Sequence, residues 1–241
     1  MKKITIATGI LIMLVLAAIS SLAQTQSRED ILKQIQAKRA ELEVLETRYL
    51  SPSEEDKARY ADFLRQPNTG LIRLLPREKF DSTSDRKGFT LRGGGAYYSF
   101  TRLTHEYGYG SDIELSQGLL STGFAGYNYG IFINLGDIPL ENVSSETGAA
   151  EVIAAHVPPT EEPKIRIEQR KWYNGETVDG TSYRSRAPVM INSTYLLRAI
   201  DYDRSDVLVA FRVVRVDSDD SAIILWKLVK KFPTPIASRT N

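Results

Sequence analysis

A mainly β fold, an antiparallel sandwich or partly closed barrel preceded by an N-terminal helical hairpin, is what this sequence predicts. Three observations carry that prediction. From Phe89 onward, β-branched and aromatic runs recur between clusters of Gly, Pro, Asn and Asp. No amphipathic stretch long enough for a parallel crossover separates them. Before Phe89 the apolar residues are spaced for helices instead.

The chain begins with Lys2 and Lys3, an apolar run over 4–19, and Ser21-Leu22-Ala23. A basic start, a short hydrophobic stretch and a small-x-small junction are the parts of a secretory signal peptide, which assigns 1–23 to a leader and the protein to an exported location, periplasmic or secreted. Only an uncleaved leader would hold the chain at a membrane, because the run approaches the roughly 20 apolar residues of a span. The sequence has no cysteine, so disulfides and lipidation on a thiol are excluded. The fold must then rest on its apolar core, and 241 residues suffice for one sizeable domain with an appendage.

The helical segment is expected over 24–75. Ser27 stands three residues before Asp30 as a capping pair, and Ile31, Ile35, Leu42, Leu45 and Tyr49 then fall on one stripe of a helix over 28–50. Three heptads make a short coiled coil, so this stripe needs a partner, either the next helix or a second copy of the chain. Ser51-Pro52-Ser53-Glu54 reads as a cap, a first-turn proline and an acidic third position for a second helix reaching about Arg65. Leu71, Ile72, Leu74 and Leu75 are expected to dock the helices, and the charged stretch 76–88 reads as a linker.

The β domain is expected over 89–233, with a tail over 234–241. Strands are predicted near 89–92, 97–103, 112–115, 123–135, 164–171, 177–184, 189–200, 207–216 and 222–231. Residues 147–156 form a candidate short helix. The last two strands make the clearest unit. Val207, Val209, Phe211 and Val213 alternate with Leu208, Ala210, Arg212 and Val214, as in a central strand covered on both faces, and 217–220 turn the chain into a hairpin.

The chemistry available is narrow. With 31 basic and 30 acidic residues the chain is near neutral, and loss of Lys2 and Lys3 with the leader tips it slightly acidic; this gives no basic excess for nucleic acid. Two histidines, His105 and His156, and no cysteine supply too few ligands for a mononuclear zinc site, and no metal or cofactor is expected. Neither H-E-x-x-H nor G-x-S-x-G occurs. Asp217-Ser218-Asp219-Asp220 begins like a calcium loop but has Ala222 at the sharp-turn position and Leu228 at the twelfth.

The richest window runs over 93–130. It combines Gly93-Gly94-Gly95 with Tyr97, His105, Glu106, Tyr107, Tyr109 and Asp112, where consecutive glycines admit close backbone approach and tyrosines offer flat apolar faces with a hydroxyl. These six side chains are the candidate ligand-binding residues. His105 with Glu106 or Asp112 is the candidate general base, and no catalytic residue is assigned. The expected function is a non-catalytic module that recognises a protein, a peptide or an envelope glycan, able to self-associate through 28–50. The alternative is a cell-envelope hydrolase with its cleft in 93–130.

Overall fold

The computed structural model describes residues 27–81, 89–108, 110–124, 126–146 and 148–238. The expected leader, 1–23, and Tyr109 lie outside the described residues. Ser27 accepts a 3.1 Å hydrogen bond from the Asp30 amide and opens helix α1, Arg28–Leu50, at the bounds its apolar spacing implies. The next cap is Ser53, whose hydroxyl accepts from the Asp56 amide to start α2, Glu54–Arg59. That is two residues beyond the expected Ser51. The single helix expected to reach Arg65 breaks at Tyr60 and resumes as α3, Ala61–Leu64.

Leu71, Ile72 and Leu74 belong to β1, Thr69–Leu74, which hydrogen-bonds along a sheet edge, and Leu71 packs in the apolar cluster that holds Phe63 and Leu64 of α3. Pro76 then precedes a short helix, α4, Arg77–Phe80, inside the stretch read as linker. The remaining strands in chain order are β2 (Tyr97–Tyr98), β3 (Ile113–Ser116), β4 (Leu119–Ser121) and β5 (Tyr129–Gly136), followed by β6 (Glu176–Val178), β7 (Thr181–Tyr183), β8 (Arg186–Pro188), β9 (Thr194–Asp201), β10 (Ser205–Val216) and β11 (Ala222–Lys231). A 3-10 turn, Leu140–Asn142, and two α-helices lie between β5 and β6: α5, Ala149–Ala155, within the expected 147–156, and α6, Glu162–Asn174.

Helix α6 replaces the strand expected over 164–171. Pro163 in the first turn suits a helix start. Burial follows the helical period: Ile165 and Trp172, seven apart, are buried, whereas Ile167 is 55% exposed. The run 177–184 is likewise not one strand. Asp179 and Gly180, both at positive φ, fold it into the β6–β7 hairpin. At 89–92 only Phe89 bridges a neighbour, Asp81, and 97–103 contributes only two strand residues.

All strand pairings between named strands are antiparallel, in three sheets: β1-β11-β10-β9-β5, β2-β3-β4-β8 and β6-β7. No sheet closes into a barrel; the five-stranded sheet ends at β1 and β5, which do not pair with each other. The expected partly closed barrel is therefore corrected to open sheets. The β10–β11 hairpin matches its sequence reading, with Val209 opposite Leu228 and bulges after Leu208 and Val213.

Strand period sorts the interior. Tyr195, Leu197, Ala199, Val207, Val209, Phe211 and Val213 enter one apolar cluster with Tyr98, Ile113, Leu115 and Leu120 of the smaller sheet. Their neighbours Leu196, Ile200, Leu208 and Ala210 enter a second cluster with Ile153, Ile165, Trp172 and Phe63 of the helices. The central strands are covered on both faces, which is why all eight residues of β9 are buried.

On the helix-covered face of the sheet lies a buried ion pair. Arg198, fully buried on β9, donates from Nε and Nη2 to Asp206 at 2.8 and 2.7 Å. Its Nη1 donates to the carbonyls of Ile153 and His156 at 2.8 and 2.6 Å, satisfying the carboxyl end of α5. The Phe232 ring lies 3.8 Å from its guanidinium carbon.

Candidate functional site

Three stretches remote in sequence converge on one hollow of about 420 Å³: Arg92, Tyr107 and Gly108; the loop containing Phe124 and 126–128; and the β9–β10 turn, Asp201 to Arg204. Its wall is an aromatic series. The Arg92 guanidinium carbon lies 4.9 Å from the Tyr107 ring centre, Tyr107 packs on Tyr97 at 4.5 Å, and Phe124 meets Tyr97 edge-on at 5.2 Å.

Tyr97 is buried and anchors this series from behind. Its hydroxyl donates to Glu114 Oε1 at 2.5 Å, and Glu114 also accepts from Arg77 at 3.1 Å and from Ser121 at 2.9 Å. Burial, followed by the bond to the Glu114 carboxylate, raises the Tyr97 phenol well above its ordinary range, so it stays a neutral donor. The Tyr97 hydroxyl and both Glu114 carboxylate oxygens have partners within the fold. Its role is to fix the wall in place.

The three glycines before Tyr97 serve packing. Gly94, at φ +60°, runs so close to the Phe80 backbone that a Cβ would stand 2.4 Å from it, and a Cβ on Gly93 would meet the Tyr97 and Tyr107 side chains. At Gly94 the close approach is of backbone to backbone, and at Gly93 it is of backbone to the two tyrosines. Opposite this wall, Arg166 and Gln169 of α6 donate to the Gly126 carbonyl at 2.8 and 2.9 Å, and Gln169 also donates to that of Asn128 at 2.9 Å. The loop is thereby held from its backbone.

The structure separates the remaining candidates. His105 Nε2 donates to the Arg73 carbonyl at 2.9 Å and its ring packs edge-on against Tyr98, away from the hollow. Burial pushes its imidazole down to about 4, against the pull of the Arg73 carbonyl, so it is neutral at ordinary pH. Asp112 is buried and accepts from the Phe100 amide at 2.7 Å; burial lifts its carboxyl to about 7. Glu106 is exposed. Of the described candidates, Tyr107 alone lines the hollow, with Tyr97 directly behind it.

The turn at 201–204 lies outside the window that the sequence singles out. Asp201 lies buried and pairs with Arg204 at 3.3 Å; burial raises its carboxyl above the usual range while Arg204 pulls it down. Asp203 takes φ +65°, which places two carboxylates and a guanidinium around one tight turn at the hollow's rim. The Asp-Tyr-Asp-Arg run was the available signal. Its proximity to Tyr107 was not legible.

His156, the other histidine, stands apart from the hollow. It shares a 2.7 Å hydrogen bond with the Tyr129 hydroxyl, packs edge-on against Trp172, and lies 4.0 Å from Glu168 Oε2. Burial, with Arg198 and Lys171 nearby, pushes it down to about 4. Compared with protein-family models, curated proteins and solved structures, the chain matches none.

Proposed function

We propose that this protein is an exported, non-catalytic recognition module whose five- and four-stranded sheets pack as a sandwich, and that the hollow beneath Tyr107 takes a saccharide of the cell envelope. The observation that carries the reading is the composition of that one hollow. Tyr107, Phe124 and Tyr127 offer aromatic surface, while Arg92, Asn128, Asp201, Asp203 and Arg204 offer donors and acceptors in nearly equal supply. Sugar rings present apolar faces edged with hydroxyls that both donate and accept, so such a lining fits them better than it fits a purely apolar or singly charged ligand. The network behind Tyr97 supports the same reading, since a pre-fixed wall lowers the ordering cost of binding.

The test is titration of the full chain with N-acetylglucosamine oligomers, followed by NMR and calorimetry. Tyr107→Ala and Arg204→Ala are each expected to weaken binding about tenfold, or about 1.4 kcal/mol. Absence of chemical-shift changes around Tyr107 and Tyr202 at millimolar sugar would sink the proposal.

The hydrolase alternative rests on one observation, the buried Asp201 with its raised carboxyl at the hollow, which has the character of a general acid. Under that reading Asp201→Asn binds oligomers but abolishes a chain-shortening activity of the parent. Under the recognition reading the parent leaves the oligomers intact.

A further inference from the structure

A second, chemically different surface lies beyond the loop at 123–128. Sequence period places its parts. On α6, Arg166, Gln169, Arg170 and Tyr173 fall at spacings of three, one and three, a single helical stripe set off from the buried Ile165 and Trp172. Along 182–187 burial alternates strictly: Tyr183, Ser185 and Ala187 turn inward, and Ser182, Arg184 and Arg186 turn outward. Stripe and strand meet at Tyr173, whose ring centre lies 4.2 Å from the Arg186 guanidinium carbon.

Two hollows of about 400 Å³ each adjoin there, sharing Tyr173. One is lined by Arg170 together with Thr122, Ser185 and Gln169, the other by Arg184 and Arg186 with Ser182 and Asn134. Neither lining includes a carboxylate among the described residues. Arg170, Arg184 and Arg186 are exposed and form no ion pair with a described acid. By contrast Arg73, Arg77, Arg198, Arg212 and Arg215 all do. Arginines held near one another without acids raise a local positive potential on a chain that is close to neutral as a whole.

We infer that this surface binds an acidic polysaccharide, with Arg170, Arg184 and Arg186 on its anionic groups and Tyr173 under a sugar ring. Guanidinium forks match carboxylate and phosphate oxygens, and the hydroxyl and amide groups beside them match ring hydroxyls. The concave lining disfavours a lipid headgroup surface, which a projecting apolar rim would engage. The near-neutral whole disfavours nucleic acid, whose non-specific binding draws on broad basic excess. The first of these hollows adjoins the one beneath Tyr107, sharing Phe124, Gly126 and Asn128, but Arg170, Arg184 and Arg186, on which the inference rests, line only the second surface.

The experiment is affinity electrophoresis and calorimetry of the full chain against alginate, a uronate polymer, with neutral dextran, anionic phosphatidylglycerol vesicles and a single-stranded oligonucleotide as comparators. The expected result is alginate binding that weakens as salt rises, no dextran binding, and a loss of roughly tenfold or more for the Arg170→Gln/Arg184→Gln/Arg186→Gln variant. All three side chains are exposed, so the variant should melt as the parent does. Tyr107→Ala should leave alginate binding unchanged, which separates this site from the first. The proposal is overturned by no alginate binding at low salt, by equal binding of parent and triple variant, or by tighter binding of the oligonucleotide or the vesicles.

Discussion

Arg198 and Asp206 form the most consequential pair of residues in the interior. Two charges removed from water are tolerated only because a bidentate contact, the α5 carbonyls and the Phe232 face surround the guanidinium. Asp206→Ala leaves that cation buried without its counterion and should cost about 3–5 kcal/mol in urea unfolding. Arg198→Met with Asp206→Leu, which removes both charges, should cost less than Asp206→Ala alone. Additive losses in the double variant would show that the pair is not coupled as described. Sequence gave Arg198 no distinction, because an arginine within an apolar strand looks the same whether it faces water or an internal partner.

Turns and caps decide much at the scale of elements. The β3–β4 connection is a two-residue loop with Gln117 at φ +51° and Gly118 at φ +71°, the left-handed pair that Asn-Gly adopts most readily. Gln117→Asn should therefore stabilise the protein by about 0.5 kcal/mol, seen as a higher urea midpoint at unchanged slope. Gly94→Ala places a methyl against the Phe80 backbone at a positive φ and should cost about 2–4 kcal/mol, whereas Gly118→Ala meets nothing within 4 Å and should cost about 1 kcal/mol. If the two alanine variants melted alike, the tight crossing of 94 over Phe80 would be wrong. The misread strand over 164–171 belongs here too. Two isoleucines two apart fit a pleat, but Pro163 in the first turn and the burial of Trp172 seven residues from Ile165 fit a helix.

For the molecule as a whole, opposing titrations share one pH window. His105 and His156 are held down to about 4 by burial, so the unfolded chain binds more protons than the folded one; their contribution is complete above their ordinary range and fades as pH falls through 4. Asp112, lifted to about 7, and Asp201, lifted as well, act in reverse: their contribution is complete below the ordinary carboxylate range and fades as pH rises. The parent's melting temperature should therefore rise less steeply between about pH 4.5 and 6.5 than the two buried histidines alone would make it. Asp112→Asn removes one opposing group, so its stability relative to the parent should grow with pH across that window by about 1–3 kcal/mol. Parallel melting curves for parent and variant, recorded by calorimetry at half-unit steps, would show that Asp112 titrates as an ordinary carboxylate.

Sequence by itself determined those features whose cause is local. Helix α1 at 28–50, the short helix within 147–156 and the hairpin at 207–231 each follow from caps, period and turn residues lying within a few positions of one another. It also concentrated attention on the window that holds Tyr107. Tertiary structure alone decided the rest: which sheet edge takes Thr69–Leu74, that the sheets stay open, that Tyr97 and Asp112 are committed to internal partners, and that Asp201 to Arg204 stand across a hollow from Arg92 and Tyr107. The physical reason is range. Dihedral preference and side-chain period act over a few residues, whereas strand order, desolvation and the meeting of charges depend on which distant segments the fold brings within reach.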